Sequence, residues 1–224
     1  MRGERVSVIV PVGAAADTIN ALVDHIRVVG YGADLEIVVV DGDPAGRTLA
    51  ALDRPGVLAL AAGPEPAAQQ NAGAAVASGD NLLFLRPDTR LPVGAVQAVA
   101  DALAGPADAG AFPVAVRARH PGWRLLAAAV TLRTRLWGLA SGDQAIFVRR
   151  DRFQAVGGFP DIPDLEDLAF MRALVRSGAR VRLQSRPVVL PVRRGRGQGL
   201  GRTVRRGLER WWRLLRTADP DRSV

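Results

Sequence analysis

The stretch NLLFLRPDTRLP, residues 81–92, runs apolar residues 82–85 straight into Arg86-Pro87-Asp88-Thr89. A short continuous apolar run bounded by turn residues suits a strand buried on both faces. This strand would deliver a guanidinium and a carboxylate to its own carboxyl end. The same arrangement recurs upstream. RVSVIVPV, residues 5–12, is β-branched and stopped by proline, and LEIVVVDGDPAG, residues 35–46, ends its apolar run at Asp41-Gly42-Asp43. GVLALAAG, residues 56–63, supplies a third strand.

Helical periodicity fills the gaps between these strands. Ile19, Leu22, Val23, Ile26 and Val29 fall on one face, with Gly30 as the stop. Further helices are predicted over 47–52, 66–79 and 93–103. Near-continuous apolar strands alternating with helices predict an α/β protein, a mostly parallel central sheet flanked by helices. Ligands of such sheets bind beyond the carboxyl ends of the strands. Here those ends carry Pro11-Val12, Asp41-Gly42-Asp43 and Arg86-Pro87-Asp88.

The second half is less periodic. AGAFPVAVRA (109–118) reads as one strand, and PGWRLLAAAVTLRTRLWGLA (121–140) as one helix or two. GDQAIFVRRDRF (142–153) reads as a loop, a strand over 145–148 and a helix start. A helix follows over 165–176, then strand-like sequence from 180 to 192.

The chain has 224 residues, 48% of them hydrophobic, enough to build a core. It has no cysteine, which excludes disulfides, thiolate metal sites and a cysteine nucleophile. No N-terminal signal and no apolar run long enough to span a bilayer is visible, so a cytoplasmic location is expected. The net charge is +8, and residues 193–224 hold ten arginines against three acids, so the basicity belongs to the tail. Within it, Val204, Leu208, Trp211 and Leu215 share one helical face, while Arg202, Arg205, Arg206, Arg213 and Arg216 lie largely elsewhere. Two readings stand: a basic amphipathic helix lying on an anionic membrane surface through residues 202–216, or a helix packed on its own domain or a second subunit. Nucleic acid is not expected, because no binding module interleaves with these arginines.

Each acidic cluster has a structural and a chemical reading. Asp88 suits a hard divalent cation or a diphosphate contact; alternatively Asp88 or Thr89 caps the helix that Pro92 enters. Asp41-Gly42-Asp43 is either a polar ligand contact or an ordinary turn. Glu166 and Asp167 open a helix, where acids favour the dipole; near a pocket, such a carboxylate is a general base. Ser141 to Gln144 is a loop on either reading. His25 and His120 stand alone, His25 at the surface or edge of the first helix, and neither is given a role. No GxGxxG follows the first strand and no P-loop lysine is present.

Taken together, VSVIVPV, EIVVVDGD, QQNAGAAVASGDNLLFLRPDTRLP, GDQAIFVRRDRFQAVGGFPDIPDLEDLAFMRALVRSG and the arginine-rich end resemble the family 2 glycosyltransferases. More narrowly, they resemble the small bacterial branch associated with radical-SAM/selenodomain proteins. The resemblance implies a GT-A fold over residues 1–192, followed by an arginine-rich helical tail over 193–224. It implies a non-processive, inverting, hexosyltransferase-type reaction from a UDP- or GDP-linked sugar to an acceptor hydroxyl; the basic tail adds the expectation of peripheral docking on the inner membrane face and a lipid-linked acceptor. On that resemblance Pro11, Val12 and Asp41 hold base and ribose, with Asp43 nearby, and Gln70 and Asn71 face the nucleotide. Asp88 binds metal and diphosphate, with Mn²⁺ or Mg²⁺ as the cofactor. Gly142, Asp143 and Gln144 lie near the sugar. Asp167, with Glu166 beside it, is the base.

The chain departs from the family pattern at several points. GAAAD (13–17) stands where Asn-Glu is usual, GPEPAAQQN (63–71) lacks the usual arginine, and Arg86 occupies the first acid position of the Asp-x-Asp motif. Gly207 in GLERW stands where processive members have glutamine, so polymer synthesis is not expected. Arg86 predicts weakened metal dependence, because a guanidinium can itself pair with phosphate; alternatively it faces away from the site. Two other classes share these residues: a non-catalytic GT-A relative binding a nucleotide-sugar or a protein partner, and a nucleotidyltransferase.

Overall fold

The structure is a computed structural model and describes residues 5–118, 120–191 and 200–216. Four parallel strands form its first half: β1 (Val6–Val12), β2 (Leu35–Asp41), β3 (Leu58–Ala61) and β4 (Asn81–Phe84). They are joined by α1 (Ile19–Val29), α2 (Arg47–Ala51) and α3 (Pro66–Val76). After β4 come α4 (Ala95–Ala104), β5 (Ala109–Ala111), β6 (Val114–Arg117) and α5 (Pro121–Trp137). A 3-10 turn, Gly142–Gln144, leads into β7 (Phe147–Arg149), α6 (Arg150–Ala155) and α7 (Glu166–Arg176). β8 (Val181–Leu183), β9 (Val188–Pro191) and α8 (Leu200–Arg216) complete the chain.

The main sheet has the order β3-β2-β1-β4-β7-β5-β8, with β7 antiparallel to both its neighbours. β6 and β9 form a separate parallel pair. The fold is therefore α/β with a mostly parallel central sheet flanked by helices, as the alternation predicts.

Side-chain alternation along β1 divides the core in two. Val6, Val8, Val10 and Val12 pack with the buried faces of α1 and α4. Ile9 points to the other face, with Val38, Val40, Phe84, Phe170 and Met171. Both faces of the central strands are dry, which is why those strands read as unbroken apolar runs.

The second half corrects one expectation. Residues 109–118 form two strands in two different sheets rather than one strand, since Phe112-Pro113 breaks the ladder where proline has no N–H to donate. The same separation occurs in residues 180–191, which supply β8 to the main sheet and β9 to the small one. Among the described residues no helix is long and apolar enough to cross a membrane. The boundary expected between 192 and 193, and the side chains of Arg206, Leu208, Trp211, Leu215 and Arg216, lie outside what is described.

Candidate functional site

The parallel register sets one rim of the sheet. Val12 pairs with Asp41, and Ile9 with Phe84, so the loops after β1, β2 and β4 emerge at the same end. Because β7 runs antiparallel to β4, its beginning arrives there too: Phe84 N–H donates to the Ile146 carbonyl at 2.8 Å. The turn at Gly142–Gln144 is thereby brought beside the loop after β4.

That loop is a tight turn. Thr89 N–H donates to the Arg86 carbonyl at 3.0 Å, with Pro87 fixing the second residue. Arg86 and Asp88 are folded toward each other, with Arg86 Nε 3.7 Å from Asp88 Oδ1. Arg86 Nε lies still closer to Asp143 Oδ1, at 3.2 Å. The capping expectation for Asp88 and Thr89 does not hold: α4 begins after Gly94, which has φ 76 and makes no side-chain cap.

Glu166 and Asp167 join the same cluster from the first turn of α7. Gly142 N–H donates to Asp167 Oδ2 at 2.8 Å. This position needs glycine, because a Cβ would sit 2.6 Å from that oxygen. Burial pulls the Arg86 pKa down, but the field of Asp143, then Asp88, Asp167 and Glu166, outweighs it and holds the pKa above its ordinary value. Arg86 is therefore a permanent cation paired with two carboxylates, Asp143 and Asp88, and its side chain is still 45% exposed.

The other predicted residues are placed differently. Asp41 is fully buried; Oδ1 accepts from Asp43 N–H at 2.9 Å and Oδ2 from Leu49 N–H at 3.3 Å. Asp43 accepts from Ala45 N–H and from Arg47 Nε at 3.1 and 2.7 Å, and these contacts depress its pKa, Arg47 contributing most. Val12 packs in the core, while Pro11 is part-exposed at the strand end. Asn71 grips the Phe159 peptide, donating to its carbonyl at 2.8 Å and accepting its N–H at 2.9 Å. Gln144 is buried, its Oε1 accepting from Thr134 Oγ1 at 2.8 Å and Ser141 N–H at 3.1 Å, its Nε2 donating to the Phe112 carbonyl at 3.2 Å.

Gln70 is buried on α3, and its Oε1 has no hydrogen-bond partner among the described residues. Its neighbour Gln69, which periodicity did not single out, packs against the β2 loop so closely that a Cβ at Gly42 would lie 2.2 Å from Gln69 Nε2. The sequence signal for this was present only as glycine at position 42. His25 is half-buried and its Nε2 accepts Leu91 N–H at 3.1 Å, tying α1 to the loop beyond Asp88. A shallow depression lined by Asn81, Arg150 and Asp151 lies at the opposite end of β4, where Arg150 donates to the Ala74, Ala77 and Gly79 carbonyls beyond and within the end of α3.

A divalent cation of the Mn²⁺ or Mg²⁺ kind takes oxygen ligands. Asp88 and Asp143 both turn an oxygen toward Arg86. Among the described residues no group of three or more His, Asp or Glu side chains is arranged to hold a metal ion. The Asp88 and Asp143 oxygens are instead paired with the Arg86 guanidinium, so these residues do not fit a divalent cation in this arrangement.

No family model and no curated protein matches the chain. Solved structures do. A mannosyltransferase from Pyrobaculum calidifontis, in complex with GDP-Man and Mn²⁺, matches with a TM-score of 0.69 and 22% identity over 94% of this chain and 64% of that one. TarS 1-349 of S. aureus, in complex with UDP-GlcNAc, matches with a TM-score of 0.64 and 17% identity over 85% of this chain and 59% of that one. This chain thus spans less than two thirds of either neighbour's length. At these identities the likeness is one of fold, and the fold is that of the GT-A glycosyltransferases.

Proposed function

We propose that the protein transfers a sugar from a nucleotide-sugar donor to an acceptor hydroxyl, with inversion and one sugar at a time. The observation that carries this is the meeting of three chain segments at the carboxyl rim of a GT-A sheet: Arg86 pairs with Asp88 and Asp143, and Gly142, the neighbour of Asp143, donates to Asp167 beside Glu166. The donor would lie along that rim. β2 and β4 flank β1, so the loops after them are separated by two strand spacings, about 10 Å. Base and ribose would rest by Pro11 and the Asp41–Asp43 loop, and the diphosphate by Arg86 and Asp88.

Asp167 is the base in this reading. The Gly142 N–H fixes one of its oxygens and so sets the direction of the other. The acceptor hydroxyl gives its proton to Asp167 while its oxygen attacks the anomeric carbon. The bond to the diphosphate oxygen breaks in the same displacement, and the departing charge appears near Arg86. Glu166 adds to the field that orients these groups. Family 2 and its radical-SAM/selenodomain-associated branch are the assignments we favour on the motifs.

The tail, residues 193–224, is proposed as an accessory segment to the domain over 1–192, bringing it to an anionic membrane surface and a lipid-linked acceptor from the cytoplasmic side. Arg202, Arg205, Arg213 and Trp212 are exposed on α8, which also meets the main body at α5. Exposed Leu125, Leu132 and Leu136 line α5. A second reading, a non-catalytic GT-A protein that binds a nucleotide-sugar or a protein partner, is favoured over catalysis by one observation: Asp41, Asn71 and Gln144, expected to face the donor, are engaged by the fold itself.

The test is turnover of UDP- and GDP-linked sugars, read as release of nucleoside diphosphate with and without acceptor alcohols. Wild type should turn over one donor, and Asp167→Asn should lower the rate by about 10²- to 10⁴-fold while keeping the wild-type melting curve. Donor binding without turnover for any acceptor decides for the binding module.

A further inference from the structure

We propose that the Arg86 guanidinium takes the place of a divalent cation here, receiving the donor's diphosphate directly. The proposal rests on the nucleotide-sugar reading above.

Three features of the geometry support it. Arg86 comes nearest to each partner through Nε, 3.2 Å from Asp143 Oδ1 and 3.7 Å from Asp88 Oδ1. Its side chain makes no hydrogen bond among the described residues and is 45% exposed, which leaves the Nη1 and Nη2 donors for a ligand. Those donors form a planar fork that matches two phosphate oxygens. The two aspartates act on Nε as a brace, and Pro87 fixes the turn that presents the fork, so little ordering remains for the ligand to impose.

Charge points the same way. Asp143 and Asp88 pair with this point and Asp167 lies one residue's contact away through Gly142, and Arg86 makes the sum of these charges less negative by one. An aspartate at 86 would instead make it more negative by one. The two alternatives differ by two units, the charge of one divalent cation. The arginine therefore supplies electrostatically what an acid at 86 would have to recruit from solution. A guanidinium is charged at every accessible pH, and here the surrounding acids hold it so.

The cation is also coupled to the base. Asp143 contacts Arg86 while its chain neighbour Gly142 donates to Asp167. Consecutive residues of one short turn thus hold both the group facing the leaving diphosphate and the group facing the acceptor.

The experiment is calorimetric titration of the full chain with UDP and with GDP, in EDTA and in millimolar MnCl₂. Wild type should bind one of them with the same affinity in both buffers. Arg86→Ala should lose about tenfold to hundredfold in EDTA. Arg86→Asp should bind only when Mn²⁺ is present, a gained requirement that misfolding cannot produce. Wild-type binding that disappears in EDTA and returns with Mn²⁺ overturns the proposal and leaves the nucleotide reading standing. Undiminished binding by Arg86→Ala in EDTA overturns it as well. No binding of either nucleotide by folded wild type in either buffer removes the nucleotide reading, and the proposal with it.

Discussion

Two loops at the same rim carry the same kind of side chain and use it differently. After β2, Asp41 is buried and both its oxygens accept backbone N–H groups, from Asp43 and Leu49. After β4, Asp88 faces the guanidinium of Arg86. The cause is the chain that follows each strand. Leu49 lies in the first turn of α2, whose N–H groups have no partner within the helix and need an outside acceptor. The β4 loop contains Pro87, which has no N–H, and its Thr89 N–H closes on a carbonyl. A strand-end aspartate becomes scaffold where a helix start lies within reach, and stays with other side chains where the turn closes on itself.

The largest expected effect tests that division directly. Asp41→Ala leaves two N–H groups near the core without their acceptor. Hydrogen bonds to a charged group contribute about 1.5–3 kcal/mol, so a loss of about 3 kcal/mol is expected, a fall in Tm of about 6–12 °C for a chain of this size. Asp143→Ala breaks a half-exposed ion pair and should cost under about 1 kcal/mol, while weakening nucleotide binding. Thermal unfolding and nucleotide titration on the two variants measure both quantities. A stable Asp41→Ala beside an unstable Asp143→Ala would break the comparison.

Next in size is Gly142→Ala. The new Cβ would meet Asp167 Oδ2 at 2.6 Å, so the carboxylate must turn. A misplaced base costs rate more than binding, and kcat should fall about tenfold to a hundredfold with KM changed far less. A fall in KM-linked binding with kcat intact would place Gly142 on the donor side instead.

Much of the fold was legible because both faces of β1, β2 and β4 are dry and the helices beside them carry one apolar face. All five periodic residues of α1 are buried, and its predicted stop at Gly30 holds. α4 starts two residues later than its apolar pattern, at Ala95, since Gly94 takes a left-handed conformation with φ 76. The second half was harder for a physical reason: β5 pairs with β8 and β6 with β9, and pairings between distant segments leave no local period. For the site, residue type marked Arg86, Asp88, Asp143, Glu166 and Asp167 as candidates, and these do gather. It could not tell that Gln144 hydrogen-bonds to Thr134 and Phe112, or that Asn71 grips Phe159, because a polar side chain's partners are set by tertiary packing.

The smallest expected effect concerns what anchors the β4 loop from behind. His25 Nε2 accepts Leu91 N–H, which requires that nitrogen to be unprotonated. Burial first, then the neighbouring charge of Arg90, holds the imidazole pKa below its ordinary value, against a smaller upward pull from the Leu91 bond. The unfolded chain therefore takes up this proton before the folded one does. The stability contributed is complete above the ordinary imidazole pKa, near about 6.5, and is lost as pH falls through the lower folded value. Asp43, held down chiefly by Arg47, and Asp108, held down chiefly by the Arg180 N–H, titrate below the ordinary carboxylate range and so outside that window. Tm of wild type should begin to fall below about pH 6.5, and His25→Gln, which keeps an acceptor but not the titration, should flatten that part of the curve while leaving the steeper fall at lower pH. Parallel curves for the two proteins would show that the β4 loop is held by contacts indifferent to protons in this range.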